Sequence, residues 1–159
     1  MIAAVDETNI AQAAAVHSVS WKESHRAFCS PGFVAEHTPE RQREYLEGKM
    51  KAGSRVFLMT DDEGPAGIVT VTGSLIADLY VLPDRQGRGY GTELLRFAIS
   101  RCAGDPTLWI LRNNARAERM YRKAGFTETG RIRTGAAGID EIEFRLRRVI
   151  RLNREESLS

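Results

Sequence analysis

One short passage constrains this chain more than any other. Val81-Leu82-Pro83-Asp84-Arg85 ends an apolar strand at a proline, and Gln86-Gly87-Arg88-Gly89-Tyr90-Gly91 then runs straight into Thr92-Glu93-Leu94-Leu95. From Gly91 onward, Leu94, Leu95, Ala98, Ile99 and Cys102 recur at helical spacing, so a helix follows the glycines directly. A strand, a glycine turn and a helix in that order gather unpaired backbone N–H groups at the positive end of a helix dipole. Such a turn holds a phosphate.

The surrounding residues exclude two folds that use similar turns. A P-loop needs Lys followed by Ser or Thr after its last glycine, whereas Gly91 is followed by Thr92 and Glu93. A dinucleotide fingerprint needs a third glycine at position 92 and an acidic residue ending the next strand. Position 92 is Thr, and that strand ends at Leu111-Arg112. Nucleic acid as the source of the phosphate is disfavoured as well. The net charge is only +2, and acidic residues are mixed among the arginines between Arg85 and Arg133.

The rest of the pattern reads as a single α/β domain over residues 1–147 with a charged tail, 148–159, expected to fray. A short apolar start, Met1 to Val5, precedes a helix capped by Asp6 or Thr8 and running to about Ser20. Trp21 to Thr38 reads as an irregular loop, and Pro39 opens a second helix to Ala52. Strands are expected at Ser54–Thr60, Ala66–Thr72 and Ser74–Val81, then at Thr107–Leu111 after the helix Gly89–Cys102. A helix Ala115–Ala124, stopped by Gly125, leads to two closing strands, Thr127–Arg133 and Ile139–Phe144.

No apolar run reaches the roughly 18 residues of a membrane span, and the start has no signal pattern, so a cytoplasmic protein is expected. Cys29 and Cys102 are too few for a disulfide framework, and Cys102 falls on an apolar stripe. His17, His25 and His37 lack the spacing and cysteine partners of a metal site, so no metal is expected.

A second block, Asn113-Asn114-Ala115-Arg116-Ala117-Glu118-Arg119-Met120-Tyr121-Arg122-Lys123-Ala124-Gly125-Phe126, completes a pair of motifs. Together the two blocks resemble the Gcn5-related N-acetyltransferase (GNAT) superfamily. Gln86-x-x-Gly89-x-Gly91 matches its pyrophosphate signature, and Asn114-x-x-Ala117-x-x-x-Tyr121-x-x-x-Gly125-Phe126 matches its second signature. The element order β-α-α-β-β-β-α-β-α-β-β agrees with that fold over essentially the whole chain. Trp21 and the Pro31–Phe33 segment are similar to the first two helices of small bacterial members.

The resemblance implies a mixed, mostly antiparallel central sheet with splayed fourth and fifth strands and helices on both faces. It implies acetyl-CoA as co-substrate, lying between the splayed strands. The backbone of Leu79 and Val81 would pair with the pantetheine arm, as a peptide adds to a sheet edge. The diphosphate would sit on the N–H groups of Gln86, Gly87, Arg88, Gly89, Tyr90, Gly91 and Thr92, the glycines allowing positive φ and leaving no Cβ in the way. Asn114 would bond the pantetheine arm, beside Ala117, and can equally cap the helix at Ala115. Arg85, Arg88, Arg116 and Arg119 remain open as partners of the 3′-phosphate.

For the chemistry, Tyr121 matches the family's general acid toward the CoA sulfur, although Ala117, Met120, Tyr121 and Ala124 also form one apolar stripe. A phenol near pKa 10 is a weak proton source for a thiolate near 8.5, so hydrogen-bond donation is the expected role. The Val81 N–H is the expected donor to the acyl oxygen. Asp78, three residues earlier, is the first choice for the base, with Glu36, His25 and Glu141 as alternatives. The acceptor is expected to be a small-molecule or peptide amine entering by Trp21, His25, Phe28, Phe33, Glu36, Tyr45 and the 135–138 loop. No nucleic-acid or membrane partner is expected, and a homodimer is allowed. The competing reading is a CoA-binding sensor without turnover.

Overall fold

A computed structural model describes residues 1–135 and 138–148. Among the described residues, seven strands form one sheet in the order β1-β2-β3-β4-β5-β7-β6. They are β1 (Ile2–Ala4), β2 (Arg55–Asp61), β3 (Gly64–Thr72), β4 (Leu75–Val81), β5 (Thr107–Leu111), β6 (Thr127–Thr134) and β7 (Asp140–Arg145). Every neighbouring pair is antiparallel except β4 and β5. The helices are α1 (Ile10–His25), α2 (Pro31–Ala35), α3 (Pro39–Lys51), α4 (Tyr90–Arg101) and α5 (Ala115–Lys123).

Strand β2 explains why helices cover both faces. Its four buried residues are apolar on both faces: Val56 and Leu58 join Ile10, Ala13, Val16 and Leu46 of α1 and α3, while Phe57 and Met59 join Leu94, Leu95 and Ala98 of α4. A strand apolar on both faces needs two layers of cover. Leu94 is fully buried in the larger cluster, where truncation to Ala costs about 2–5 kcal/mol.

The segment 21–38 is not the irregular loop that its sequence suggests. Helix α1 continues to His25 because Trp21 and His25, one turn apart, stack at 4.0 Å with their planes 6° apart. Ser30 then caps a short helix at Phe33 N, with Pro31 in its first turn, and Thr38 caps α3 at Arg41 N. At the start of α1 the cap is Asn9, whose Oδ1 accepts from Asp6 N at 2.8 Å, while Asp6 accepts from Thr8 N.

At the far end, Arg148 is tied down: its N donates to Asp105 Oδ1 at 2.8 Å and its Nη1 to Ile99 O at 2.6 Å. The remainder of the expected tail, and residues 136 and 137 of the loop before β7, lie outside the described residues. Among the described residues no helix is long and apolar enough to cross a membrane.

Candidate active site

Strands β4 and β5 meet at a single register pair, Leu75 with Thr107, and part beyond it. The other edge of β4 is paired with β3 from Asp78 to Val81, and that pairing fixes where its free groups point. Leu82 N donates to Ala66 O, so Val81 opposite Gly67, and Leu79 opposite Val69, are non-hydrogen-bonded pairs. Their own N–H and C=O groups therefore face the gap toward β5. This gap is the centre of a cleft of about 970 Å³ that runs from α1 and α3 to the glycine turn.

At the mouth of the cleft, Gly87 and Gly89 adopt φ of +82° and +85°, and no side chain among the described residues caps the first turn of α4. A β-branched residue is strained at such angles. Gly91 differs from the expectation. Its φ is not positive, and a Cβ there would sit 3.1 Å from Met120 Sδ, so it serves the contact between α4 and α5.

Two side chains bridge the mouth to the Val81 carbonyl. Arg116 Nη1 donates to Gln86 Oε1 at 2.6 Å, and Gln86 Nε2 donates to Val81 O at 3.3 Å. Of the four arginines that the sequence leaves open, Arg116 lines the cleft without a carboxylate partner among the described residues. Arg85 is 6% exposed and held by Asp61, Glu63 and Asp84. Arg88 is held by Glu63 and Asp61, and Arg119 is exposed outside the cleft wall.

Helix α5 supplies the opposite wall. Asn114 Oδ1 accepts from Ala117 N at 3.2 Å, so the asparagine does cap the helix, and its amide NH2 is left to donate elsewhere. Tyr121 is 8% exposed and packs edge-on against Phe126 at 5.9 Å. Burial pushes its phenol up to about 12.

On the α1–α3 side, Asp78 is buried on the face opposite Leu79 and Val81. An extra residue in β4, between the pairs Thr70–Asp78 and Val71–Ile76, resets the strand's alternation there. Tyr45 Oη donates to Asp78 Oδ2 at 3.0 Å, and His17 Nε2 stands 3.7 Å from Oδ1. Burial alone would raise the carboxyl, but the adjacent His17, the Tyr45 hydroxyl and the Lys49 charge outweigh it and hold Asp78 below the usual range. Burial and the Asp78 charge push the Tyr45 phenol up in turn.

The alternatives to Asp78 separate clearly. Glu36 is exposed, paired with Arg41 at 3.2 Å, and outside the cleft wall. His25 and Glu141 both line the cleft. Burial lowers the His25 pKa, and its Nδ1 lies 2.9 Å from Trp21 O and 2.8 Å from Ser24 Oγ. Glu141 lies 3.5 Å from Arg133 Nε, and Arg133 covers the Trp109 ring at 4.3 Å. Sequence reading missed the His17–Asp78–Tyr45 group and the stack of Trp21 between His25 and His37. The recurrence of His17, Trp21, Ser24 and His25 at helical spacing on α1 is the signal that points to this wall.

A sheet parted at its one parallel junction, with a glycine turn at the parting, defines an α/β fold built around a cofactor-sized cleft. A family model described as an acetyltransferase (GNAT) domain matches residues 52–128. Peptidyl-lysine N-acetyltransferase YjaB of Salmonella typhimurium is 34% identical over 73 residues, 46% of this chain and 50% of that protein. The chain thus spans about half the length of that relative. The PaiA N-acetyltransferase of Thermoplasma acidophilum, solved with coenzyme A, superposes with a TM-score of 0.66 at 15% identity, covering 90% of this chain and 96% of its own. The ribosomal-protein-S18-alanine N-acetyltransferase of Escherichia coli gives 0.67 at 20% identity, covering 92% of each chain. In sequence over residues 52–128, and in fold, the chain is thus similar to GNAT acetyltransferases.

Proposed function

We propose that this protein is an acetyl-CoA-dependent N-acetyltransferase that moves the acetyl group to an amine by direct attack within a ternary complex. The observation that carries this reading is the single register pair between β4 and β5, which leaves the Leu79 and Val81 amides open beside the glycine turn. An extended amide-bearing arm pairs with the strand edge, and the diphosphate takes the N–H groups of residues 86–92. Hydrogen bonds to a charged group are worth about 1.5–3 kcal/mol each, against about 0.3–1 kcal/mol for the helix dipole. Main-chain amides therefore dominate the grip. Arg116 is positioned for the 3′-phosphate, and the free Asn114 amide for the pantetheine arm.

The amine enters from the α1–α3 side, where the ionised Asp78 attracts its ammonium form, which releases one proton to solvent before its lone pair can react. Attack by the nitrogen lone pair on the thioester carbon moves negative charge to the acyl oxygen, which the Val81 N–H stabilises. Asp78 takes the proton that the nitrogen sheds once the C–N bond forms. Collapse breaks the C–S bond, and the Tyr121 hydroxyl donates a hydrogen bond to the departing sulfur. The matched relative named for peptidyl-lysine supports a primary amine on a small molecule or peptide.

Calorimetry with acetyl-CoA and CoA, combined with a thiol-release assay over a panel of amines, tests the proposal. Micromolar binding with amine-dependent thiol release is the expected result. Binding without release from any amine would favour the sensor reading, and absence of binding would overturn both.

A further inference from the structure

The β2–β3 hairpin lies outside the cleft, yet its carboxylates hold three side chains of the glycine turn. Asp61 divides its two oxygens between two tasks. Its Oδ1 accepts from Glu63 N at 2.9 Å and closes the hairpin, while Oδ2 accepts from Tyr90 Oη at 3.0 Å. The same Oδ2 stands 3.5 Å from Arg85 Nε and 3.7 Å from Arg88 Nη1. Glu63 adds Oε2 at 3.0 Å from Arg85 Nε, and its Oε1 accepts from Arg88 Nη1 at 3.2 Å.

These anchors bracket the two residues of the turn with the greatest freedom. Gly87 and Gly89 hold φ of +82° and +85°, and among the described residues nothing lies within 4 Å of where a Cβ would stand on either. The glycines themselves therefore have no side-chain packing to keep them in place, and unrestrained glycine loses more conformational entropy on ordering than any other residue. Arg85 precedes the pair, Arg88 lies between them and Tyr90 follows as the first residue of α4. Each of the three is held by the hairpin.

We propose that Asp61 and Glu63 are positioning residues for the acyl donor: by gripping Arg85, Arg88 and Tyr90 they set the turn so that its amides converge on the diphosphate. This rests on the acetyl-CoA reading above. It has a consequence opposite to simple electrostatics. Two carboxylates near a diphosphate repel it, so neutralising them strengthens binding if charge is their only effect. If they position the turn, neutralising them weakens binding.

The test uses Asp61→Asn and Glu63→Gln in the full chain, with acetyl-CoA and the phosphate-free donor S-acetyl-pantetheine as probes. Calorimetry reads acetyl-CoA affinity, and steady-state thiol release reads kcat and KM for both donors. Losing one charge-assisted anchor weakens acetyl-CoA binding by about tenfold in Asp61→Asn. A loss of about two- to fivefold follows in Glu63→Gln, whose carboxylate is the more exposed. KM for S-acetyl-pantetheine and kcat at saturation stay within about twofold of wild type, because neither involves the phosphate cradle. Unchanged or tighter acetyl-CoA binding in both variants overturns the proposal, as does an equal loss with both donors. If the wild-type protein itself fails to bind acetyl-CoA, the underlying reading falls, an outcome visible before any variant is made.

Discussion

Replacing Tyr121 with Phe tests the chemistry most directly, because it deletes one oxygen and leaves the packing against Phe126 in place. Burial pushes the phenol up to about 12. Delivering its proton fully to a thiolate near 8.5 is then uphill by about 3.5 units, or about 4.8 kcal/mol. That makes complete transfer a poor route and leaves hydrogen-bond donation to the developing sulfur charge, worth about 1.5–3 kcal/mol. Tyr121→Phe should therefore lose about 10- to 150-fold in kcat. This is the low end of, or below, the range of about 10²–10⁴ for a general acid. Acetyl-CoA affinity should change little, since the phosphate and pantetheine contacts lie elsewhere. The assay is thiol release at saturating donor and amine from pH 6 to 10, with calorimetric affinity measured in parallel. Equal kcat for the two proteins would refute the assignment. So would a wild-type basic limb near pH 9 that disappears in the variant, because a phenol near 12 stays protonated throughout that window.

Three further outcomes follow from the same geometry. Gly89→Val forces a β-branched residue to φ +85°, a strain of about 1–3 kcal/mol, and should cost acetyl-CoA affinity well beyond any effect of Arg88→Ala; comparable losses by calorimetry would count against the main-chain cradle. Arg116→Ala should weaken CoA by about 1.5–3 kcal/mol while leaving 3′-dephospho-CoA almost unaffected, and equal losses for the two ligands would remove Arg116 from the 3′-phosphate. Asp78 is held below the usual carboxylate range in the folded chain, so its contribution to stability is present above about pH 4 and is lost as the pH falls through the folded value. Urea unfolding between pH 7 and 3 should show a shallower acid decline in Asp78→Asn, and that variant should also lose turnover; a full rate across pH 6–9 would withdraw Asp78 from the proton step.

Much of the fold could be read from local pattern. The strand before Pro83, the glycine turn and the stripe Leu94, Leu95, Ala98 and Cys102 were all legible, because strand and helix periodicity depend on neighbours within a turn or two. The expected irregular segment 21–38 was the main departure. Its helices are held by Trp21 stacking with His25 and His37, and by the caps at Ser30 and Thr38, of which the stack with His37 joins residues 16 apart.

By itself, the sequence determined where the chain turns, which faces are apolar and which family signatures sit at the strand ends. Only the tertiary structure decided which arginines are free. Arg85 and Arg88 are consumed by a hairpin some 25 residues away, while Arg116 reaches the cleft, and nothing in local spacing distinguishes them. It also decided that Gly91 serves a helix contact and that Asp78 is buried against Tyr45 and His17. Local sterics fix a residue's backbone, but its charge partners, burial and proton affinity depend on whatever the folded chain brings beside it.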